Sequence, residues 1–293
     1  MERRVTLIGF GEAARAFAPG LSARLAGYDR KTDDADLRPR KLGDFAADGV
    51  TACETPAAAL AEAEAVLSLV TADQALAAAT ASDGLSPGAF WFDMNSVAPQ
   101  TKHSAARVIT ARGGRYVDAA VMAPVHPKRS AVPILLSGPH AAAGAALLVE
   151  IGFADVRVIA GDIGAASAVK MLRSVMVKGI EALCAECALA ADAAGVLDEV
   201  VASLDASPPP LGWAERFDYN LDRMLVHGLR RAAEMDEVVS TLEALGIGAT
   251  MSRGTVERQR ALGALAIAPP DGLAAKLHTL APFVRPAHGN RAA

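Results

Sequence analysis

Residues 5–8, Val-Thr-Leu-Ile, run straight into Gly9-Phe10-Gly11-Glu12-Ala13-Ala14, and a helical pattern starts near Glu12. This order of β-rich run, two glycines and helix constrains the fold more than any other feature of the chain. Gly9 permits a tight turn, Gly11 lets the backbone approach a bound group, and Ala14 lets the helix pack closely on the strand. The helix then turns its unsatisfied N–H groups on whatever lies over the turn, which suits a phosphate. A second short run, 26–28, ends at Asp29, an acidic residue about 20 positions after the turn, where the GxGxx(G/A) dinucleotide fingerprint expects one. A glycine turn without a ligand is the plainer alternative; the company of strand, helix and acid favours the nucleotide.

The rest of the N-terminal half repeats the alternation. Pro19-Gly20 shortens the first helix. Residues 30–48 are charged and read as a loop. Apolar runs follow at 49–53, 65–70 and 89–93, separated by Ala-rich helical segments at 56–63 and 72–82. A helix at 97–112 comes next, then strands at 116–121, 132–137 and 156–160, with a helix at 139–151 among them. This alternation predicts a parallel, doubly wound sheet. The pattern changes near Gly161. Residues 162–194 read as one long helix, Pro208-Pro209-Pro210 as a loop, and helices resume near Trp213 and run to about Gly263 with turns at 246–248. The segment after Pro282 reads as a frayed tail. The expected fold class is α/β: an N-terminal Rossmann doubly wound sheet (1–160) followed by an all-α C-terminal domain (161–293).

Composition narrows the partners. The 293 residues carry a formal net charge of −4 with both signs well mixed. Nucleic-acid binding would need a basic face, so the expected partner is a small molecule. Two Arg before a short apolar run superficially suggest a signal peptide, but the run breaks at once into Gly and Glu. No stretch is long enough to span a membrane. Three cysteines, Cys53, Cys184 and Cys187, are too few for a disulfide framework and imply a reducing, cytoplasmic location. Cys184 and Cys187 form a CxxC, but inside an Ala-rich helical stretch with no second pair for zinc. The six His lack metal-ligand spacing, so no metal is expected.

The cofactor candidates are Gly9, Phe10, Gly11, Glu12 and Ala13 at the turn, with Asp29 and Arg30 after the second strand. Val70 and Thr71 join them at the end of the strand at 65–70, and Asn95 beyond the next. Asp29 would accept from the ribose hydroxyls of NAD. Arg30 and Lys31 would instead hold the 2′-phosphate of NADP. Asp29 would repel that phosphate, which tilts the reading slightly towards NAD and leaves NADP open. Thr71 alternatively caps the next helix.

Two further segments stand in order behind the glycine turn. Asp93-Met94-Asn95-Ser96-Val97-Ala98-Pro99 resembles the DxNSxxP motif of β-hydroxyacid dehydrogenases, the group that includes 6-phosphogluconate and 3-hydroxyisobutyrate dehydrogenases. Gly164-Ala165-Ala166-Ser167-Ala168-Val169-Lys170 is similar to the Gly-to-Lys segment that opens that family's interdomain helix. The resemblance spans roughly residues 5–195, and 227–235 resemble a branch labelled phosphogluconate-dehydrogenase-like. It implies that Lys170 is the catalytic lysine. It places Asn95 and Ser96 between nicotinamide and substrate, with Ser96 on the substrate carboxylate. Residues 118–124 (Asp-Ala-Ala-Val-Met-Ala-Pro) take the place of the family's DAPVSGG substrate loop, which assigns Val121, Met122 and Ala123 to the substrate. Met122 and Pro124 replace a Ser and a Gly, and Ser174 stands where the family has an Asn. These departures argue against 6-phosphogluconate and for a bulkier or more apolar substrate. The resemblance and the apolar C-terminal helices further imply a homodimer.

The chemistry needs a hydride acceptor and a base for the hydroxyl proton. A lysine serves as base only when neutral, which burial or nearby cations favour. Helical spacing puts Lys170, Arg173, Ser174, Val177, Lys178 and Glu181 on one broad face. Arg173 and Lys178 would attract an anionic substrate, and Ser174 would fix its hydroxyl; a solvated charged face is the plainer reading of the two cations. His126, Lys128 and Arg129 are either an anion grip or a surface loop. His227, Arg230 and Arg231 are either cleft residues or an exposed basic face. Two rivals remain: an imine reductase, and a dinucleotide-binding sensor without catalysis. Retention of Lys170 argues against both.

Overall fold

The computed structural model describes residues 2–193, 195–206, 212–244 and 249–284. Two compact units divide it, Met1–Leu172 and Arg173–Ala293.

The first unit is a single eight-stranded sheet. Its strands are β1 (Arg4–Ile8), β2 (Arg24–Tyr28), β3 (Thr51–Ala52), β4 (Ala65–Ser68), β5 (Phe90–Asp93), β6 (Arg115–Val121), β7 (Ile134–Ser137) and β8 (Val156–Val158). Their order across the sheet is β3-β2-β1-β4-β5-β6-β7-β8. The chain leaves β1 towards one edge and returns on its other side at β4, so the ends of β1 and β4 frame the switch point where such sheets place ligands. The helices are α1 (Glu12–Phe17), α2 (Arg38–Ala47), α3 (Pro56–Leu60), α4 (Ala75–Thr80), α5 (Pro99–Ala111) and α6 (Ala141–Glu150). Successive strand residues feed two cores. Val5, Leu7, Leu67, Phe92 and Val117 face Phe10, Phe17 and Phe45. Ile8, Val66, Trp91 and Tyr116 face Leu60, Ala79, Ala105 and Ile109. Burial on both faces is why these strands read as short continuous apolar runs rather than as alternating ones.

The sheet departs from the all-parallel expectation at one place. β7 runs antiparallel to β6, with Asp118 opposite Ser137 and Val121 opposite Ile134. The connection at 122–133 holds only a short 3-10 turn, and a parallel return would need a helical crossover. Residues 30–48 are also more ordered than a charged loop. Pro39 lies in the first turn of α2, and Lys41 and Phe45 are buried on its inner face. Phe45 stacks on Phe10 with ring centroids 4.1 Å apart.

The second unit is helical: the bulk of α7 (Ala165–Ala193), then α8 (Leu197–Asp205), α9 (Trp213–Ala244), α10 (Thr250–Gly263) and α11 (Leu273–Val284). α8 and α11 were not expected. α8 is one short amphipathic helix, and α11 ends just past Pro282, after which the tail was expected. Lys276 anchors α11 to α9 through Asp218 at 2.7 Å. α9 and α10 cross at Gly228 and Gly263, where a Cβ on either would meet the other's backbone at 2.3–2.4 Å. The Pro208-Pro209-Pro210 loop, the turn at 246–248 and the tail beyond 284 lie outside the described residues. Among the described residues no helix is long and apolar enough to cross a membrane.

Candidate functional site

The glycine turn has the shape its sequence demands. Gly9 adopts φ +86°, and a Cβ there would meet Leu69 O at 2.6 Å. Nothing lies within 4 Å of a Cβ placed on Gly11, so the backbone there is open to a bound group. Gly11 is the N-cap of α1 and offers no side-chain hydrogen bond to the first turn, whose N–H groups stay available to phosphate. Glu12 is exposed and Ala13 half-buried. Ala14 is fully buried against the sheet. These features fit a dinucleotide.

The Phe10 ring is in the core, so only its backbone serves the turn. Its N–H donates to Asp29 Oδ2 at 2.8 Å, and its carbonyl accepts from Lys41 Nζ at 2.8 Å. Asp29 Oδ1 accepts from Lys31 N at 2.9 Å. Asp29 thus ties the glycine turn to the end of β2. Lys41 also pairs with Asp44 at 2.8 Å and holds that carboxyl below its usual range. Lys41 and Asp44 were missed in the sequence because their segment read as a loop; the Lys/Asp spacing of three was the available signal. Arg30 and Thr71 are exposed on the same rim. The Thr71 hydroxyl is the main cause holding the Asp73 carboxyl below its usual range, with Gln74 next and Arg30 a minor contributor.

Asn95 is buried and committed to the protein. Its Oδ1 accepts from Val70 N at 2.7 Å, and its Nδ2 donates to Ser68 Oγ at 3.0 Å and Asp93 Oδ1 at 2.8 Å. It thereby fixes the Val70–Thr71 segment at the switch point. Ser96 is half-buried. Behind Asn95 lies a buried polar group. Lys102, fully buried, pairs with Asp93 Oδ1 at 3.0 Å and Asp118 Oδ1 at 3.4 Å. The Tyr116 hydroxyl donates to Asp93 Oδ2 at 2.7 Å, and burial pushes its pKa well up. On a helix rich in polar residues Lys102 gave no sign of burial.

Asp118 also holds the start of α7. Its Oδ2 accepts from Gly164 N and Ser167 N, each at 3.0 Å, and from Ser137 Oγ at 3.1 Å. Ser137 Oγ accepts from Ala166 N at 3.0 Å. Lys170, half-buried, follows one residue-triplet later on this helix. Met122 packs with Ala120, Leu135 and Ala166, which brings the substrate-loop candidate to the first turn of α7. Val121 points into the core, so it presents only backbone. Ala123 is half-buried, and Pro124, His126, Lys128 and Arg129 are exposed.

In the helical unit, Ser174 and Lys178 are buried and Arg173 is exposed. Lys178 Nζ donates to Ser174 Oγ at 3.2 Å and pairs with Glu234 Oε2 at 2.8 Å. Arg230 also pairs with Glu234. Arg231, buried, pairs with Glu181, which accepts from Gln259 Nε2 at 3.1 Å. Burial is the largest influence on the Arg231 guanidinium and lowers its pKa. Arg231 therefore does not belong to an exposed basic face, and the charge of Lys178 is offset by Glu234. Cys184 is buried on α7; the side chain of Cys187 lies outside the described residues. No metal-binding group of His, Cys, Asp or Glu occurs among the described residues.

A family model described as the NAD binding domain of 6-phosphogluconate dehydrogenase matches residues 5–152. The chain belongs to this family. A second model, a domain of unknown function called DUF1932, matches residues 191–262. Among solved structures, a conserved hypothetical protein from Sinorhizobium meliloti 1021 is 37% identical over 97% of both chains, with a TM-score of 0.74. A conserved protein of unknown function, described as structurally similar to 3-hydroxyacid dehydrogenases, is 29% identical over 90% of this chain and 98% of its own, TM-score 0.68. The 3-hydroxyisobutyrate dehydrogenase of Mycobacterium tuberculosis shares the fold at 16% identity, with 96% and 99% coverage and a TM-score of 0.71. No curated protein matches the chain. The family match makes the N-terminal domain one for NAD(P), and together these likenesses support an NAD(P)-dependent oxidoreductase.

Proposed function

We propose that this protein is an NAD(P)-dependent dehydrogenase acting on a hydroxyacid or a related alcohol/carbonyl pair, with Lys170 as general acid/base. The observation that carries the reading is the anchored start of α7: Asp118 and Ser137 hold the N–H groups of Gly164, Ala166 and Ser167, and Lys170 follows directly. The bound cofactor supplies the hydride acceptor or donor. Gly9, Phe10, Gly11, Glu12 and Ala13 would cradle its phosphates, with Val70 and Thr71 on the other lip of the switch point. Asp29 and Arg30 would meet the adenosine ribose, with the lean towards NAD.

In oxidation, the hydroxyl O–H breaks as Lys170 Nζ takes the proton, while the carbinol C–H electrons leave with the hydride. In reduction the same ammonium returns the proton to the forming alkoxide. Ser96 would meet the substrate carboxylate, and Val121, Met122 and Ala123 would form the wall. Met122, apolar and half-buried, favours an aryl or branched group beside the carbonyl.

Fluorescence titration with NADH and NADPH tests the reading, with Lys170→Ala in parallel and a hydroxyacid and semialdehyde panel after it. Cofactor binding by both proteins and a rate about 10²–10⁴-fold lower in the variant are expected. Binding of neither cofactor overturns the reading. Equal rates in both proteins remove Lys170 from the chemistry.

A further inference from the structure

Lys102, like Asp93 and Asp118 beside it, is fully buried, with none of its surface reached by solvent. Desolvating an ammonium costs several kcal/mol, and apolar replacements for buried ion pairs are often neutral or stabilising. Its surroundings give the charge a specific task. The Nζ donates to Asp93 Oδ1, to the Asp93 carbonyl and, at 3.5 Å, to the Ala119 carbonyl, and it lies 3.4 Å from Asp118 Oδ1. Asp93 Oδ1 accepts from both N and Nδ2 of Asn95, at 3.1 and 2.8 Å. Asp118 Oδ2 accepts from the first turn of α7. One ammonium therefore stands between the carboxylate that orients Asn95 and the carboxylate that orients the helix bearing Lys170. Directional charge-assisted hydrogen bonds hold the Asp93 side, and a buried ion pair, without a hydrogen bond, holds the Asp118 side, so the ammonium fixes the spacing of the two.

We propose that Lys102 is a positioning residue: through Asp93 and Asp118 it sets Asn95 and the Val70–Thr71 segment in register with the first turn of α7, and hence with Lys170. The proposal rests on the dehydrogenase reading for its catalytic consequence, but the mechanical coupling is independent of it. A displacement of about 1 Å at a reacting group lowers a rate by about 10²-fold.

Amide hydrogen exchange and steady-state kinetics on Lys102→Met and on the milder Asp118→Asn test it. The expected exchange result is joint loss of protection at Val70 and at Ala166 and Ser167, while β1 and β2 keep theirs. The expected kinetic result is a fall in kcat of about 10²-fold in Lys102→Met and about tenfold in Asp118→Asn, with the KM for the substrate within about twofold of wild type. Should Lys102→Met not fold, Asp118→Asn alone decides. Exchange confined to residues around 102, or reduced stability with unchanged kcat, overturns the proposal in favour of a merely structural lysine. If the wild-type protein turns over no substrate, the dehydrogenase reading fails, and joint deprotection still establishes the coupling.

Discussion

The two units each bury a charged cluster, and they solve the problem differently. In the sheet unit, Lys102, Asp93 and Asp118 reach backbone groups: the carbonyls of Asp93 and Ala119, and the N–H groups of Asn95, Gly164 and Ser167. Apart from the Ala119 carbonyl, which lies within β6, these groups lie where β5 ends and α7 begins, where secondary structure leaves backbone groups unpaired. In the helical unit, Lys178, Glu234, Arg231, Glu181 and Gln259 bond to one another across α7, α9 and α10. Helix interiors have already satisfied their own backbones, so buried side chains have only each other. Asn220 Nδ2, Arg223 Nε and Gln259 Oε1 are buried there without a hydrogen-bond partner among the described residues. Charges that complete the backbone are structural keystones, whereas charges that complete only each other are replaceable.

The contrast sets a ranking of effects. Lys102→Met leaves two buried carboxylates facing each other and is expected to cost about 3–5 kcal/mol. Arg231→Ala leaves buried Glu181 with Gln259 as its remaining donor and is expected to cost about 3 kcal/mol, the low end of that range. Urea denaturation of both measures the order, and an inverted order breaks the comparison. The next effect is smaller. Replacing Lys178 and Glu234 together by Met and Leu is expected to change stability by less than about 1.5 kcal/mol in either direction. Arg230, whose side chain is 48% exposed, returns to water. A cost as large as that of Lys102→Met would show that the helical cluster also serves the backbone.

The smallest effect is a pH dependence at the rim of the glycine turn. The hydrogen bond from Lys41 is the main cause holding the Asp44 carboxyl below its usual range, and Arg15 adds to it. A carboxyl whose folded pKa is depressed stabilises the fold above its ordinary value, and that contribution fades as pH falls through the depressed one. Asp44→Asn should therefore lose melting temperature less steeply than wild type below about pH 4, by the equivalent of about 0.3–1 kcal/mol. Parallel acid melting curves would remove Asp44 from the acid response.

Much of the architecture was legible from local pattern. The glycine turn, the succession of strands β1 to β8 along the chain and the length of α7 all follow from short-range chemistry. Turn residues, apolar runs and helix propensity act within about ten residues. Residues 38–47 were not legible, because charged side chains on the outer face masked the Lys41 and Phe45 stripe that packs inward. α11 falls in 264–284, beyond the last helix expected to end near Gly263, and it carries Pro282 in its last turn. The antiparallel β7 was hidden because strand direction is set by the connection, not by the strand.

The sequence by itself determined the dinucleotide turn, the α/β alternation and the candidate Lys170, since each is written in contiguous residues. Only the tertiary structure decided what surrounds them. Asn95 meets Val70 across 25 positions, and Asp118 meets Ser167 across 49. A buried charge is defined by partners brought together in folding, and neither the burial of Lys102 nor its two carboxylates can be read from the residues beside it.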